Sequence, residues 1–160
     1  MMHIDSRWNS QRLSTFVLIW ALLIALDQIT KSLIRSNLTY GSSWPENWEL
    51  IRLSYVENTG IAFGFLQGHG ELLSFIVPIV LLGFIYMIFT QPPLTLFSDY
   101  SFVLILAGAV GNLIDRFWHG AVTDFIDPTH YPAFNVADSL ICIGAAVLIG
   151  TSLLDRRKPT

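Results

Sequence analysis

The chain has 160 residues, room for one domain at the usual size of about 150 residues per domain. Only 13% of its residues are charged and 52% are hydrophobic, whereas an ordinary soluble domain carries about 25% charged residues. So few polar side chains cannot cover a soluble protein of this size. The apolar content also excludes a disordered chain, and a pI of about 5.7 disfavours a nucleic-acid-binding protein. The composition therefore predicts an integral membrane protein.

Four segments are long and apolar enough to be transmembrane helices, at about residues 14–34, 72–90, 100–118 and 134–154. A helix needs about 20 mostly apolar residues to cross the hydrocarbon layer, and a lone strand in lipid would leave its backbone amides unsatisfied. Pro92 and Pro93 are expected to end the second segment. We therefore predict an all-α membrane protein, a four-transmembrane-helix bundle forming one integral-membrane domain over residues 1–160.

The first segment has a second interpretation as a secretory signal peptide, because Arg7 and Arg12 precede its apolar run. No small-x-small cleavage site follows that run, and three further spans lie downstream. We therefore interpret it as a retained helix.

Basic residues near the two ends of the chain indicate its orientation. They are Arg7, Arg12, Arg156, Arg157 and Lys158. Lys and Arg collect on the cytoplasmic side of membrane proteins, and an even number of spans puts both termini on one side. Both termini are therefore expected in the cytoplasm, with residues 35–71 and 119–133 on the outer face.

The outer region at about residues 40–68 is expected to form a small extracytoplasmic β-sheet. Apolar and polar residues alternate along its central part: Ile51, Arg52, Leu53, Ser54 and Tyr55. This period of two is typical of a half-buried strand. Asn58 to Gly60 reads as a turn, and residues 61–66 as a second short strand or a membrane-dipping segment.

Charged residues at membrane depth cost at least about 2.5–3.5 kcal/mol each, so each needs a reason. Asp27 and Lys31 are four residues apart on one face of the first span. An ion pair that stabilises the helix end and fixes its depth is the favoured interpretation. The alternative is a charged wall of a substrate site.

The third span ends in a polar group formed by Asn112, Asp115 and Arg116. Gly108 and Gly111 precede it and would let a neighbouring helix approach closely. A structural clamp between helices and a direct catalytic role are equally supported for Asp115 and Arg116.

Two further aspartates follow on either side of a proline-containing connection. Asp124 has apolar neighbours, which would raise its pKa by desolvation. Asn135 is placed to cap the fourth helix, with Asp138 at the third helical position. Asp127, beside Pro128, reads as an ordinary turn residue.

A hairpin between Asp124 and Asp138 would bring the two carboxyl groups face to face. Two carboxyl groups with different protonation states can act as base on a water and as acid toward a carbonyl, which is the chemistry of aspartic peptide hydrolysis. A structural or cation-binding role stays open from spacing alone. Cys142, in the middle of the fourth span, is expected to be a small buried hydrophobic residue.

Read in order, the polar motifs resemble those of the lipoprotein signal peptidases, or signal peptidase II, the bacterial membrane aspartic peptidases. The motifs are Asp27-Gln28-x-x-Lys31, Asn58-x-Gly60-x-Ala62-Phe63, Gly111-Asn112-Leu113-Ile114-Asp115-Arg116, Val122-x-Asp124-Phe125 and Phe134-Asn135-x-Ala137-Asp138. They span nearly the whole chain. Ala107-Gly108-Ala109 stands where the family usually has Gly-Gly-Ala, a change that touches no catalytic position.

The resemblance implies an endopeptidase that cuts prolipoproteins just before a diacylglyceryl-modified cysteine, with Asp124 and Asp138 as the catalytic pair. It implies residues that shape the site or hold substrate, namely Asp27, Lys31, Asn58, Gly60, Asn112, Asp115, Arg116, Asn135 and Ala137. It also implies a small outer β-cradle, location in the inner membrane with the site near the outer leaflet, contact with membrane lipids and inhibition by globomycin-type cyclic peptides. No metal, organic cofactor or nucleic acid is expected, and the chain is expected to be a monomer.

Two alternatives come from other functional classes. A metal-dependent membrane transferase would hold Mg²⁺ on Asp115, Asp124 and Asp138. A small transporter would line a solute path with the buried charges.

Overall fold

The computed structural model describes residues 9–60, 67–90 and 95–155. Within them lie four helices: α1 (Ser10–Asn37), α2 (Gly70–Thr90), α3 (Leu96–His119) and α4 (Val136–Asp155). Each is long and apolar enough to cross a membrane, which confirms the four predicted spans. The expectations for Arg7, residues 61–66, Pro92, Pro93 and the C-terminal cations fall outside the described residues.

The centre of the bundle is α3, which packs against α1, α2 and α4. Half of its apolar window is buried, against 11–17% for the other three helices. Two glycines permit this packing. A β-carbon at Gly108 would overlap the carbonyl oxygen of Ala137, and one at Gly111 would lie 2.5 Å from a carboxyl oxygen of Asp27. The predicted close approach of a neighbouring helix is therefore confirmed on two sides of α3.

At its N-terminal end α3 is tied to α1 by an ion pair between Arg12 and Asp99, 2.9 Å apart. Thr95 caps this end of α3 by accepting a hydrogen bond from the backbone N–H of Ser98. At the other end Gly120 adopts a left-handed conformation (φ 75°), which stops the helix and turns the chain toward the sheet.

A three-stranded antiparallel sheet lies beside the C-terminal end of α3. Its strands are β1 (Ser43–Trp44), β2 (Ile51–Asn58) and β3 (Val122–Pro128), in the order β1-β2-β3. The predicted sheet comprised residues 40–68 alone and lacked β3. The first four residues of β3 are all buried, so this strand lacks the alternation that identified β2.

Asp127 is therefore not a turn residue. It belongs to β3 and pairs with Arg52 across the strands, at 3.1 Å between the guanidinium and the carboxylate. The same carboxylate accepts a hydrogen bond from the Ser54 hydroxyl at 2.6 Å. These partners explain why a charged side chain occupies a strand position.

The polar face of β2 is the buried one. Ile51 and Leu53 are 49% and 40% exposed, whereas Ser54 is buried against Asp127. The polar face turns inward because β3 supplies its hydrogen-bond partners, and the apolar face turns outward.

Candidate active site

A cavity of about 650 Å³ opens where α3, β3 and the beginning of α4 converge. Its polar wall is formed by Asn58, Asn112, Arg116, Asp124 and Asp138. Its apolar wall comes mainly from α2, α3, α4 and the preceding connection, and includes Val77, Ala109, Pro132, Phe134, Ile141 and Ile143. The cavity thus joins a cluster of hydrogen-bonding groups to an apolar surface, a combination typical of ligand sites.

The start of α4 holds Asp138 by a reciprocal cap. The backbone N–H of Asp138 donates to the side-chain oxygen of Asn135 at 2.9 Å, and the backbone N–H of Asn135 donates to the Asp138 carboxylate at 3.2 Å. The predicted cap is confirmed.

Three side-chain amides bind the two aspartates. Asn58 and Asn135 donate to the two oxygens of Asp124 at 2.9 and 2.7 Å. Asn112 donates to Asp138 at 2.7 Å. A further hydrogen bond of 3.2 Å runs from the Asn135 amide to the Asn112 oxygen. The amides therefore connect two carboxyl groups that belong to separate elements, β3 and α4.

The carboxyl group of Asp124 is only 2% exposed. Burial, followed by the negative charge of Asp138, raises the pKa of Asp124 to about 7, while the hydrogen bonds from Asn58 and Asn135 act in the opposite direction. A carboxyl group that titrates near neutral pH can both take up and release a proton during a reaction.

A second cluster of charged side chains lies next to the asparagine amides. Lys31 pairs with Asp27 at 2.9 Å and with Asp115 at 3.4 Å, and all three side chains are 0% exposed. None of the three lines the cavity. The predicted ion pair between Asp27 and Lys31 is therefore confirmed, and it is buried in the bundle away from the cavity lining.

Arg116 clamps the segment after β2 onto α3. Its guanidinium donates to the carbonyl oxygen of Gly60 at 2.8 Å and to that of Asn112 at 3.4 Å. The N–H of Gly60 in turn donates to the side-chain oxygen of Asn58 at 2.9 Å, as expected for a turn. Arg116 also lines the cavity, so the clamp and a contact with ligand are compatible.

Ala137 and Cys142 have contrasting surroundings on α4. Ala137 is fully buried against α3, where its β-carbon lies beside Gly111. Cys142 is exposed and lines the cavity, so the prediction of a buried hydrophobic residue is wrong. It follows Asp138 by four residues, about one helical turn, and therefore shares its face of α4.

The oxygen ligands proposed for a metal are used within the protein. Asp115 binds Lys31, and Asp124 and Asp138 accept hydrogen bonds from asparagines. In the part of the chain that the structure describes, no three His, Cys, Asp or Glu side chains are grouped to hold a metal ion.

Sequence reasoning missed three members of the site. Gln28 donates to Asp27 and Asp115 at 3.1 and 3.3 Å. Arg35 lies 3.5 Å from Asp115 and donates to the Thr123 hydroxyl at 2.8 Å. Arg35 follows Lys31 by four residues, so the helical spacing that joined Lys31 to Asp27 also points to it. No pattern in the sequence indicates Thr123.

A family model described as signal peptidase (SPase) II matches residues 19–154. A lipoprotein signal peptidase from Caldanaerobacter subterraneus subsp. tengcongensis is 45% identical over 135 residues, which cover 82% of this chain and 91% of that protein. One from Shewanella loihica is 34% identical over 162 residues, covering 96% and 94%. A bacterial membrane enzyme solved in meso at 2.3 Å resolution superposes with a TM-score of 0.83, at 32% identity over 92% of this chain and 93% of that one.

Proposed function

The chain belongs to the signal peptidase II family of aspartic-type peptidases, and we propose that it cuts diacylglyceryl-modified prolipoproteins just before the lipidated cysteine. The observation that carries this proposal is the amide-linked pair of Asp124 and Asp138 at the polar end of a partly apolar cavity. Such a cavity suits a substrate that presents both a peptide bond and acyl chains.

In the proposed reaction, Asp124 and Asp138 share one proton. The ionised carboxylate takes a proton from a water, whose oxygen bonds to the scissile carbonyl carbon, while the protonated carboxyl donates to the carbonyl oxygen. The tetrahedral intermediate then breaks its C–N bond, and a proton passes to the leaving amine of the cysteine. The near-neutral pKa of Asp124 supports this exchange of roles.

Arg116 and Asn112 are the residues that orient the substrate in this proposal. A side-chain amide has two N–H donors, and Asn135 uses both, on Asp124 and on Asn112. Asn112 uses one on Asp138, and Arg116 lines the cavity. We therefore assign substrate-holding to these two residues, and assign Asn58, Gly60, Asn135 and Ala137 to shaping the site.

We further propose a single domain that works as a monomer in the inner membrane, with the cavity near the outer leaflet and both termini in the cytoplasm. Arg12 lies near one end of the sequence and further basic residues lie near the other end, which supports this orientation. Exposed apolar side chains along the spans, such as Leu18, Leu22 and Ile79, suit contact with lipid. Globomycin-type peptides would inhibit by filling the cavity beside Asp124.

The test is cleavage of a purified diacylglyceryl-modified prolipoprotein, followed by intact mass. Asp124→Asn and Asp138→Asn are each expected to lower the rate by at least about 100-fold, the usual contribution of a general acid or base. Asp127→Asn is the matched control. Asp127 is another carboxylate on β3, but its partners are Arg52 and Ser54, and it does not line the cavity. Retained cleavage by either of the first two variants, folded in detergent, would contradict the assignment.

The same assay separates the alternatives. Full activity after treatment with EDTA is expected for an aspartic peptidase, whereas loss of activity would support a metal-dependent transferase. Solute flux through proteoliposomes without a cleaved product would support a transporter.

A further inference from the structure

The ammonium group of Lys31 has three polar partners, two carboxylates and one amide oxygen, equal in number to its three N–H donors. It lies 2.9 Å from Asp27 on its own helix and 3.4 Å from Asp115 on α3. It also donates to the side-chain oxygen of Asn112 at 2.9 Å. Because the group is fully buried, each of these contacts is made without competition from water.

Each of the two carboxylates also accepts a hydrogen bond from a backbone N–H outside its own helix. Asp27 accepts from the N–H of Ala137 at 2.9 Å. Asp115 accepts from the N–H of Thr123, also at 2.9 Å. Ala137 immediately precedes Asp138, and Thr123 immediately precedes Asp124. One lysine is thus linked to the backbone one residue before each aspartate of the proposed pair.

The contact with Lys31, whose third partner is Asn112, orients the side-chain amide of Asn112. The Asn112 oxygen accepts from both Lys31 and Asn135, at 2.9 and 3.2 Å. With its oxygen held there, the amide nitrogen of Asn112 faces Asp138, to which it donates at 2.7 Å. Lys31 is therefore linked to Asp138 in two ways: through the side chain of Asn112, and through Asp27 and the backbone N–H of Ala137.

We propose that Lys31 is a positioning residue, whose ammonium acts through Asp27 and Asp115 to fix the backbone segments that carry Asp124 and Asp138. This inference rests on the proposed catalytic pair and gives Asp27, Lys31 and Asp115 a role distinct from substrate binding, since none of them lines the cavity. The need for such a link is geometric. The two aspartates stand on β3 and α4, and backbone hydrogen bonds between Ile126 and Phe134 hold β3 to the residues before α4. The links through Asp27 and Asp115 act next to the aspartates themselves, where a displacement of about 1 Å can cost about 100-fold in rate.

The test compares Lys31→Met with the double variant Lys31→Met/Asp115→Asn. The methionine keeps the length of the side chain and removes the charge. Because the single variant leaves the buried Asp27 without its cation and Asp115 with only Arg35 at 3.5 Å, it is the more prone to misfold. The double variant restores one net negative charge to the three-residue cluster, as in the wild type.

The matched control is Asp99→Asn, which breaks another, partly buried α1–α3 ion pair at the opposite end of the same helices. All proteins are compared by kcat and KM on the lipidated substrate, with rates expressed per folded protein. Hydrogen exchange followed by mass spectrometry reports on the segments around Thr123 and Ala137 directly and needs no substrate.

We expect the Lys31 variants to lose about 100-fold in kcat with KM within about twofold of the wild type. Exchange should become faster in the segments around Thr123 and Ala137, whereas Asp99→Asn should leave kcat and these two segments unchanged.

Three results would overturn the inference: a wild-type kcat in a folded Lys31 variant, a raised KM with unchanged kcat, or faster exchange spread evenly over the bundle. If the wild-type protein itself fails to cleave, the proposed function is wrong, and the exchange data still decide whether Lys31 holds the two segments.

Discussion

The side-chain amide of Asn135 donates to the side-chain oxygen of Asn112 at 3.2 Å, and each of these amides also donates to a different aspartate. Asn135 stands at the start of α4 and Asn112 in α3. One contact between two asparagines therefore connects Asp124 to Asp138 through neutral groups, and the cavity wall becomes a single hydrogen-bonded unit.

This arrangement gives Asn135 two separable tasks, capping α4 and binding Asp124. Asn135→Ser keeps a cap, because a serine hydroxyl accepts the same backbone N–H, but removes the amide that binds Asp124. We expect both Asn135→Ser and Asn135→Ala to lose cleavage activity and to be less stable than the wild type, because both remove the two buried hydrogen bonds that the amide donates. Asn135→Ala should be the less stable of the two by about 1 kcal/mol, the usual value of a cap. Thermal unfolding in detergent and the cleavage assay measure the two effects. Normal activity of the serine variant would show that the amide is dispensable.

The raised pKa of Asp124 predicts how stability depends on pH. Between its ordinary value of 3.8 and about 7, the folded protein retains a proton on Asp124 that the unfolded chain has released. The free energy of unfolding therefore falls as pH rises through this interval. Asp124→Asn removes the titrating group, so the difference in thermal stability between variant and wild type should change with pH across this interval and level off above it. A constant difference would contradict the assigned pKa.

The same titration predicts the alkaline side of the activity profile. Because the proposed pair needs one proton, kcat/KM should decrease as pH rises above about 7, where Asp124 of the free protein ionises. The measurement is kcat/KM against pH with the lipidated substrate. The Asp127→Asn control should show the same profile as the wild type. A kcat/KM that stays constant well above this pH would show that Asp124 need not carry the proton.

The position of Cys142 predicts selective inhibition by thiol reagents. Cys142 lies on the cavity wall, about one helical turn beyond Asp138. Addition of its thiol across the double bond of a bulky maleimide forms an S–C bond and places the reagent where substrate must enter. We expect this treatment to block cleavage by the wild type and leave Cys142→Ala active. Equal inhibition of both proteins would place the sensitive group elsewhere.

The close packing of α3 predicts a difference between two glycines. At Gly111 an added β-carbon would lie 2.5 Å from Asp27, whereas at Gly83 in α2 nothing lies within 4 Å. Gly111→Ala should therefore destabilise the protein by about 1–3 kcal/mol, as overpacking does, and lower activity by displacing Asp27. Gly83→Ala should be neutral or stabilise by up to about 1 kcal/mol through helix propensity. Thermal unfolding of both variants provides the comparison, and an equal response would contradict the packing argument.

Local rules were sufficient for the helices and for the cap of α4. Long apolar runs specify the four spans because hydrocarbon leaves a backbone no partner except itself. The spacing of Asn135 and Asp138 specifies a reciprocal cap within one helical turn. Local rules failed for β3, where Thr123 and Asp127 are satisfied by Arg35, Asp115 and Arg52 from distant parts of the chain.

The sequence by itself determined that the chain lives in lipid, how many times it crosses, and that its few charges need partners there. Only the tertiary structure decided which partners they have. Burial makes an unpaired charge costly wherever it lies. The composition therefore indicates that Lys31 needs a partner but does not identify that partner. Asp27 can be identified as a partner from its helical spacing, whereas Asp115 lies 84 positions after Lys31 in the chain. The packing of α3 between α1 and α4 brings these groups together, and with them the two segments that carry Asp124 and Asp138.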